Sequence, residues 1–307
     1  MDPLSSLMKN EEPKNWADLP TDLMCLILLR LSVTEILENA QKVCRSWRYV
    51  CKDPSIWRKI DMRILSYNKP VLVNNPEAIC RNAVDRSEGG LLEINIGDFG
   101  SDSLLTYIAE RSSNLRSLRL MCSEITDDGF VQAVVKLPML EELEVSGISL
   151  SGESMKLAGL SCPNLKTLML NRLFYLSSDD DDHDAIAIAE SMPKLRHLQL
   201  CGNKLTKTGL NAILDGCPHL EHLDLRQCIN LVGNLEKRCF EKIKDLRRHN
   251  DSTSADYPFS FETYYFHWSR QLAILKNALP MEEGAYNFDP IVEEAEYYLK
   301  LYWDLCQ

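Results

Sequence analysis

No apolar run in this chain reaches the ~18–20 residues needed to cross a bilayer as a helix, so a membrane-spanning role is not expected. The N-terminus, MDPLSSLMKNEEPKNW, lacks the basic start and long apolar stretch of a secretory leader and reads as a short polar tail over 1–14. Positive charge is also in deficit. The 307 residues carry a formal net charge of −11, which argues against a nucleic-acid binder driven by overall charge. The densest basic stretch, KRCFEKIKDLRR at 237–248, has helical spacing and reads as a solvated face. Also missing are a Walker loop, a dinucleotide fingerprint, His-Glu-x-x-His and Gly-x-Ser-x-Gly. The nearest His pair, His219 and His222, falls at a strand entry and within a strand, so neither a metal nor an organic cofactor is expected.

Cysteine is present in odd number, eleven in all, without close pairs. With no leader in view these are expected to be free thiols in a reducing compartment, cytoplasm or nucleus. The stretch VCRSWRYVCKDPSIW at 43–57 concentrates two of them with two of the five tryptophans. If the stretch is one helix, Cys44 and Cys51 stand roughly 10 Å apart along it, beyond the roughly 7 Å a disulfide tolerates. A zinc site would need further ligands, and the nearest histidine is His183. Buried packing is left as the reading of both thiols.

Three helices are expected before residue 62. Pro20 suits a first helical position and Asp22 the first turn, with Leu23, Ile27 and Leu31 recurring after them. Ser32-Val33-Thr34-Glu35 has the form of a capping box. Ala40, Val43, Cys44, Trp47, Val50 and Cys51 follow the i, i+3, i+4, i+7 rule as a third helix that Asp53-Pro54 ends. So small a module holds more apolar surface than it can hide, which marks a contact surface.

The four phrases Leu19-Pro20-Thr21-Asp22-Leu23, Ile27-Leu28-Leu29-Arg30-Leu31, Val43-Cys44-Arg45-Ser46-Trp47-Arg48 and Asp53-Pro54-Ser55-Ile56-Trp57 resemble, in order and spacing, the F-box. The resemblance covers about residues 15–62. It implies a three-helix module that docks on the adaptor Skp1 of SCF ubiquitin ligases. The adaptor-binding residues it implies are Leu19, Pro20, Ile27, Leu28, Leu31, Val43, Cys44 and Trp47.

A second pattern begins at residue 91. Leu91-x-x-Ile94-x-Ile96 returns at Leu115, Leu140, Leu165, Leu195 and Leu220, with steps of 24, 25, 25, 30 and 25 residues. Six copies at this period are the signature of a leucine-rich repeat solenoid. Thr126 and Thr206 read as helix caps, and Leu137-Pro138, Cys162-Pro163, Met192-Pro193 and Cys217-Pro218 as helix ends. The phrase is similar to the cysteine-containing class of these repeats, with Cys228 in that class's place and Cys122 and Cys201 offset. Residues between the core positions should line a concave face: Glu93 and Asn95, Ser117 and Arg119, Glu142 and Glu144, Thr167 and Met169, His197 and Gln199, His222 and Asp224. That face is either a plain solvated surface or the surface that holds a partner. The residues expected to do the latter are Arg119, Glu142, Glu144, Met169, His197, Gln199, His222 and Asp224.

The fourth copy is longer and carries Ser177-Ser178-Asp179-Asp180-Asp181-Asp182-His183-Asp184. It lacks the spacing and glycine of an EF-hand and reads as an exposed acidic loop or helix start. Asn75-Pro76-Glu77 opens a helix through Ile79, Ala83 and Val84, within a connector and solenoid cap over 63–88. Residues 249–307 leave the repeat: a polar linker, an aromatic cluster from Tyr257 to Trp268, and a final amphipathic pattern ending at Cys306.

The expected fold is therefore α/β: a small three-helix F-box (15–62), then a short leucine-rich repeat solenoid of about six strands (89–248), a curved parallel sheet with outer helices. The resemblance, to the plant F-box/LRR-repeat proteins as a subfamily, implies a non-catalytic substrate receptor of an SCF complex. Its partners would be a Skp1-like adaptor, through it a cullin, and an unknown protein target. A non-degradative interaction scaffold is the alternative. A hormone-sensing receptor is disfavoured by the small number of repeats.

Overall fold

The structure, a computed structural model, describes residues 19–62, 75–172, 182–231, 237–248 and 251. The chain divides into two units, Met1–Ser252 and Thr253–Gln307, and every described residue lies in the first. The aromatic C-terminal segment and the acidic residues 177–181 lie outside the described residues.

Helix α1 (Thr21–Leu28) starts behind Pro20, with Asp22 in its first turn. It buries Met24 and Leu28. The capping box is formed reciprocally: Ser32 N–H donates to Glu35 Oε2 (2.8 Å), and Glu35 N–H donates to Ser32 Oγ (3.3 Å). Bonds from the Ser32 N–H and hydroxyl to its carboxylate hold Glu35 below its usual range. They open a π-helical segment (Glu35–Ala40) that runs into α2 (Gln41–Val43).

The expected single helix over 40–51 is two pieces. Cys44 is extended (φ −158°, ψ 179°) and becomes the N-cap of α3 (Arg45–Val50). Helical phase restarts there, so Val43 turns outward while Trp47 and Val50 turn in. Asp53 then caps a 3₁₀ turn (Pro54–Arg58), accepting a bond from Ser55 N–H at 2.9 Å. Among the described residues the cysteines are free thiols.

The sheet begins earlier and ends later than the repeat phrase indicates. It has eight parallel strands in sequence order. Strand β1 (Lys59–Asp61) comes from within the F-box span. Helix α4 (Pro76–Arg86) follows, capped by Asn75, whose Oδ1 accepts from Ala78 N–H at 2.9 Å. Then strands and helices alternate: β2 (Glu93–Ile96), α5 (Asp102–Arg111), β3 (Ser117–Met121), α6 (Asp127–Val134), β4 (Glu142–Ser146) and α7 (Gly152–Ser161). They continue as β5 (Thr167–Asn171), α8 (Asp182–Ser191), β6 (His197–Gln199), α9 (Lys207–Gly216) and β7 (His222–Asp224). The basic stretch at 237–248 is not one helical face. Helix α10 (Lys237–Lys242) gives way to β8 (Asp245–Arg247).

Register is continuous. Ile60, Ile94, Leu118, Leu143, Leu168, Leu198, Leu223 and Leu246 form one row across all eight strands. With the helix faces behind it, this row belongs to one apolar core that runs unbroken from Met24 to Ile243. The F-box and the solenoid share that core and are not joined as beads on a string.

Neighbouring repeats are also latched at their helix N-termini. Thr126 caps α6 and gives its own N–H and hydroxyl to the Asp102 carboxylate of the preceding repeat (2.9 and 2.7 Å). Ser151 does the same to Asp127 (2.8 and 2.9 Å), and Thr206 to Asp182. Each acid therefore sits in the first turn of its own helix, favourable for the dipole, and anchors the next cap. Burial pushes the Asp127 carboxyl up, but hydrogen bonds from Ser154 and Ser151 outweigh it, and the net position is below the usual range.

This latch explains the glycine three residues after the cap. A Cβ on Gly129 would overlap the Asp102 carboxylate, and one on Gly209 that of Asp182. Helix propensity alone favours alanine at such a position by about 1 kcal/mol. Here Gly129→Ala should instead destabilise by about 1–3 kcal/mol, the cost of overpacking. The check is the denaturant midpoint. A more stable variant would mean the Asp102–Thr126 latch is dispensable.

Candidate functional site: the exposed F-box face and the concave sheet

The eight residues expected on the adaptor surface split by burial. Pro20 and Val43 are exposed, and Leu19, Ile27, Leu31 and Cys44 are half-buried. Leu28 and Trp47 are buried among the module's own side chains, so as placed they hold the surface up rather than form it. The largest uncovered apolar side chains include four that the motif did not single out. Leu23 is 45% exposed, Leu26 and Leu29 each 59%, and Tyr49 78%, beside 59% for Val43. Leu23, Leu26 and Leu29 recur every three residues along one side of α1, away from the inward Met24 and Leu28. A helix apolar on more than one side gives no sequence cue to which side is covered; the excess of leucines was the only signal.

The module's far end is closed by Trp57. Its indole Nε1–H donates to Cys51 O (3.0 Å), and the side chain is 1% exposed. Arg86 at the end of α4 lies over the ring, 5.4 Å from its centre. The same guanidinium donates to Cys51 O (3.1 Å) and Gln41 Oε1 (2.9 Å). One arginine of the solenoid's first helix thus ties two F-box segments.

On the sheet, two rows of non-core positions run across the strands. The first is Lys59, Glu93, Ser117, Glu142, Thr167, His197, His222 and Asp245; the second is Asp61, Asn95, Arg119, Glu144, Met169, Gln199, Asp224 and Arg247. Two of the expected partner-binding residues prove to be framework. Glu144 is buried, accepts from Ser146 Oγ (3.0 Å), and faces Arg119 at 3.8 Å. Ser146 in turn accepts from Asn171, which accepts from Gln199 (2.8 and 3.0 Å). Asp224 is buried against Arg226, at 2.6 Å in the closest contact, and Arg226 is itself 1% exposed. A buried pair like this is costly to break and poorly available to a partner. Arg119, Glu142, Met169 and Gln199 are half-buried, and His197 and His222 stack face to face with centroids 4.3 Å apart.

The repeat cysteines pack. Cys162 Sγ donates to Leu137 O (3.4 Å), Cys217 to Met192 O (3.6 Å) and Cys228 to Leu200 O (3.0 Å). Burial pushes the Cys162 thiol up to about 12 and Cys217 to about 11, unsuited to nucleophilic work at neutral pH. Among the described residues no group of three His, Cys, Asp or Glu is placed to hold a metal. No described helix is long and apolar enough to cross a membrane.

A three-helix module built into one end of a parallel leucine-rich sheet defines the class. The F-box-like family profile matches residues 16–63, a leucine-rich repeat profile matches 111–131, and the repeats of FBD-associated F-box proteins match 171–241. Similar proteins of Arabidopsis thaliana include F-box protein SKIP19, 62% identical with 80% of each chain covered. Putative F-box/LRR-repeat protein 23 is 61% identical over 81% of this chain and 57% of its own length, so the chain spans just over half of that relative. F-box protein SKIP1 is 31% identical, with 72% of this chain and 81% of that protein covered. The chain belongs to the F-box/leucine-rich repeat proteins.

Proposed function

We propose that the chain is the substrate-recognition subunit of an SCF-type (Skp1–cullin–F-box) E3 ubiquitin ligase. The observation that carries this is the set of uncovered leucines on α1, beside Val43 and Tyr49, on a module whose other large apolar side chains are buried or half-buried. Apolar surface gathered in this way marks a site that a partner covers. In this reading a Skp1-like adaptor covers it and links the chain to a cullin. The concave sheet holds a protein target.

The chain would itself make and break no bond. A target held on a rigid frame keeps its lysines near a ubiquitin-loaded enzyme and raises their effective concentration. The shared core supports this role, because a receptor that flexed between its two halves would spread that concentration over a larger volume. Catalysis belongs to other subunits, and the reading places the protein in cytoplasm or nucleus. The test is co-elution of the purified chain with a Skp1-type adaptor in size-exclusion chromatography. A chain that elutes alone at micromolar concentration overturns the proposal.

A further inference from the structure

From β3 to β8 the residue that enters the strand, just before the first of the two rows, forms a charged rim: Arg116, Glu141, Lys166, Arg196, Glu221 and Lys244. Each carboxylate is shared by two cations. Glu141 meets Arg116 at 3.0 Å and Lys166 at 2.7 Å. Glu221 meets Arg196 at 2.8 Å and Lys244 at 3.1 Å. Hydrogen bonding from Lys166 foremost holds Glu141 below its usual range, and that from Lys244 does the same for Glu221, so both stay ionised. One carboxylate neutralises one cation, and each triad therefore keeps a surplus positive charge, in a chain whose net charge is −11.

The two triads abut at Lys166 and Arg196 with no acid between them. Arg196 N–H donates to Lys166 O at 2.8 Å, so the residues start side by side on adjacent strands. Their heads turn apart, each toward its own glutamate. Both side chains stay about half exposed, at 52% and 54%. Like charges in adjacent strand positions are unfavourable without a counter-charge. Beside the gap lie Thr167 and the stacked His197–His222 pair, and Lys194 is exposed two residues before Arg196. The acids facing this half of the rim are Glu142, engaged by Ser117 Oγ at 3.1 Å and Arg119 at 3.6 Å, Glu221, and Asp245, engaged by His222 Nδ1 at 3.1 Å.

We infer that this rim is the docking surface for an acidic segment of a protein target, an extended run of Asp and Glu. The inference rests on the substrate-receptor reading and names the chemistry of its target. The spread of the cations favours distributed carboxylates over one phosphoryl group. Arg116 on the approach to β3 and Lys244 on the approach to β8 are five strand steps apart. That is roughly 24 Å at ~4.8 Å per strand, or about seven residues of extended chain. A single phosphate needs cations that converge on one point. These are set in a line, with one surplus charge in each triad.

The test uses the full chain with its adaptor and three fluorescent peptides of equal length: Glu/Ser-rich, Lys/Ser-rich, and Gly/Ser-rich with one phosphoserine. Fluorescence polarisation at low and physiological salt should show the Glu/Ser peptide bound most tightly, with affinity falling as salt rises. Lys166→Glu with Arg196→Glu should weaken it by at least about tenfold. Lys136→Glu on the helix side, which also removes one exposed cation, should leave it unchanged. Tightest binding of the phosphoserine peptide, equal binding of the Lys/Ser peptide, or no response to the double reversal each overturns the acidic-segment assignment. Adaptor co-elution in the same samples separates the two readings. If the adaptor binds and the peptide does not, the rim is wrong and the receptor reading stands.

Discussion

Trp57→Ala should cost the whole described unit about 3–5 kcal/mol, the range for deleting a large buried aromatic side chain. The residue sits where the F-box meets the sheet. It is 1% exposed, directly before Arg58 and the first strand, and its indole bonds Cys51 O. Removing the ring takes away the surface on which Arg86 lies. The guanidinium's bonds to Cys51 and Gln41 then span a cavity. Because one core runs through both parts, the loss should appear as a single melting transition moved down by roughly 10 °C. A transition confined to the F-box, with a solenoid that melts where it did before, would show that the two parts are energetically separate. Tyr49→Ala is the control, since that ring is 78% exposed and its loss should shift stability by no more than about 0.5 kcal/mol.

The junction was the part of the fold least legible in the sequence. Repeats announce themselves through Leu at fixed spacing, and the six phrases from Leu91 to Leu225 all became strands with their Leu, Ile or Val inward. Strand β1 has only Ile60 as an inward residue between Lys59 and Asp61, and β8 only Leu246 between Asp245 and Arg247. A three-residue strand with one apolar position carries no periodicity to detect. Its existence is decided by the neighbour it pairs with. The caps were legible because Ser and Thr at an N-terminus satisfy donors within their own helix. That Asp102, Asp127 and Asp182 reach across to the next cap was not, since it depends on how two repeats stack.

Burial was the second thing pattern could not resolve. Glu144 and Asp224 occupy alternating strand positions that point to the concave side, as periodicity requires. Both are nonetheless taken out of solvent by Arg119, Ser146 and Arg226. The residues left open are Arg116, Lys166, Arg196 and Lys244 at the strand entries, with Lys59, His197 and Asp245 of the first row. In the F-box the break at Cys44 had the same effect. A helix continued from Ala40 to Cys51 would keep Val43 and Trp47 on one side, and the restart separates them.

That separation yields the sharpest test of the adaptor surface. If Leu26 and Leu29 are contact residues, replacing both with glutamate should abolish adaptor capture while the chain stays folded. Each is 59% exposed, so a charge there meets water in the free protein and costs little. In the complex it would sit unpaired against an apolar partner. Central interface residues are worth about 2 kcal/mol or more each, so the double variant should bind at least about a hundredfold more weakly. Leu28→Ala separates contact from support. Leu28 is buried, and its truncation should lower the melting temperature with a cost of about 2–5 kcal/mol. It should reduce adaptor binding only as far as it unfolds the module. Leu19→Ala with Pro20→Ala, at the half-buried and exposed start of α1, should weaken capture without the stability loss of Leu28→Ala. The measurements are adaptor co-elution and thermal melting on the same preparations. A Leu26/Leu29 glutamate variant that is folded and still captures adaptor at full strength would place the contact elsewhere on the module, at Val43 and Tyr49.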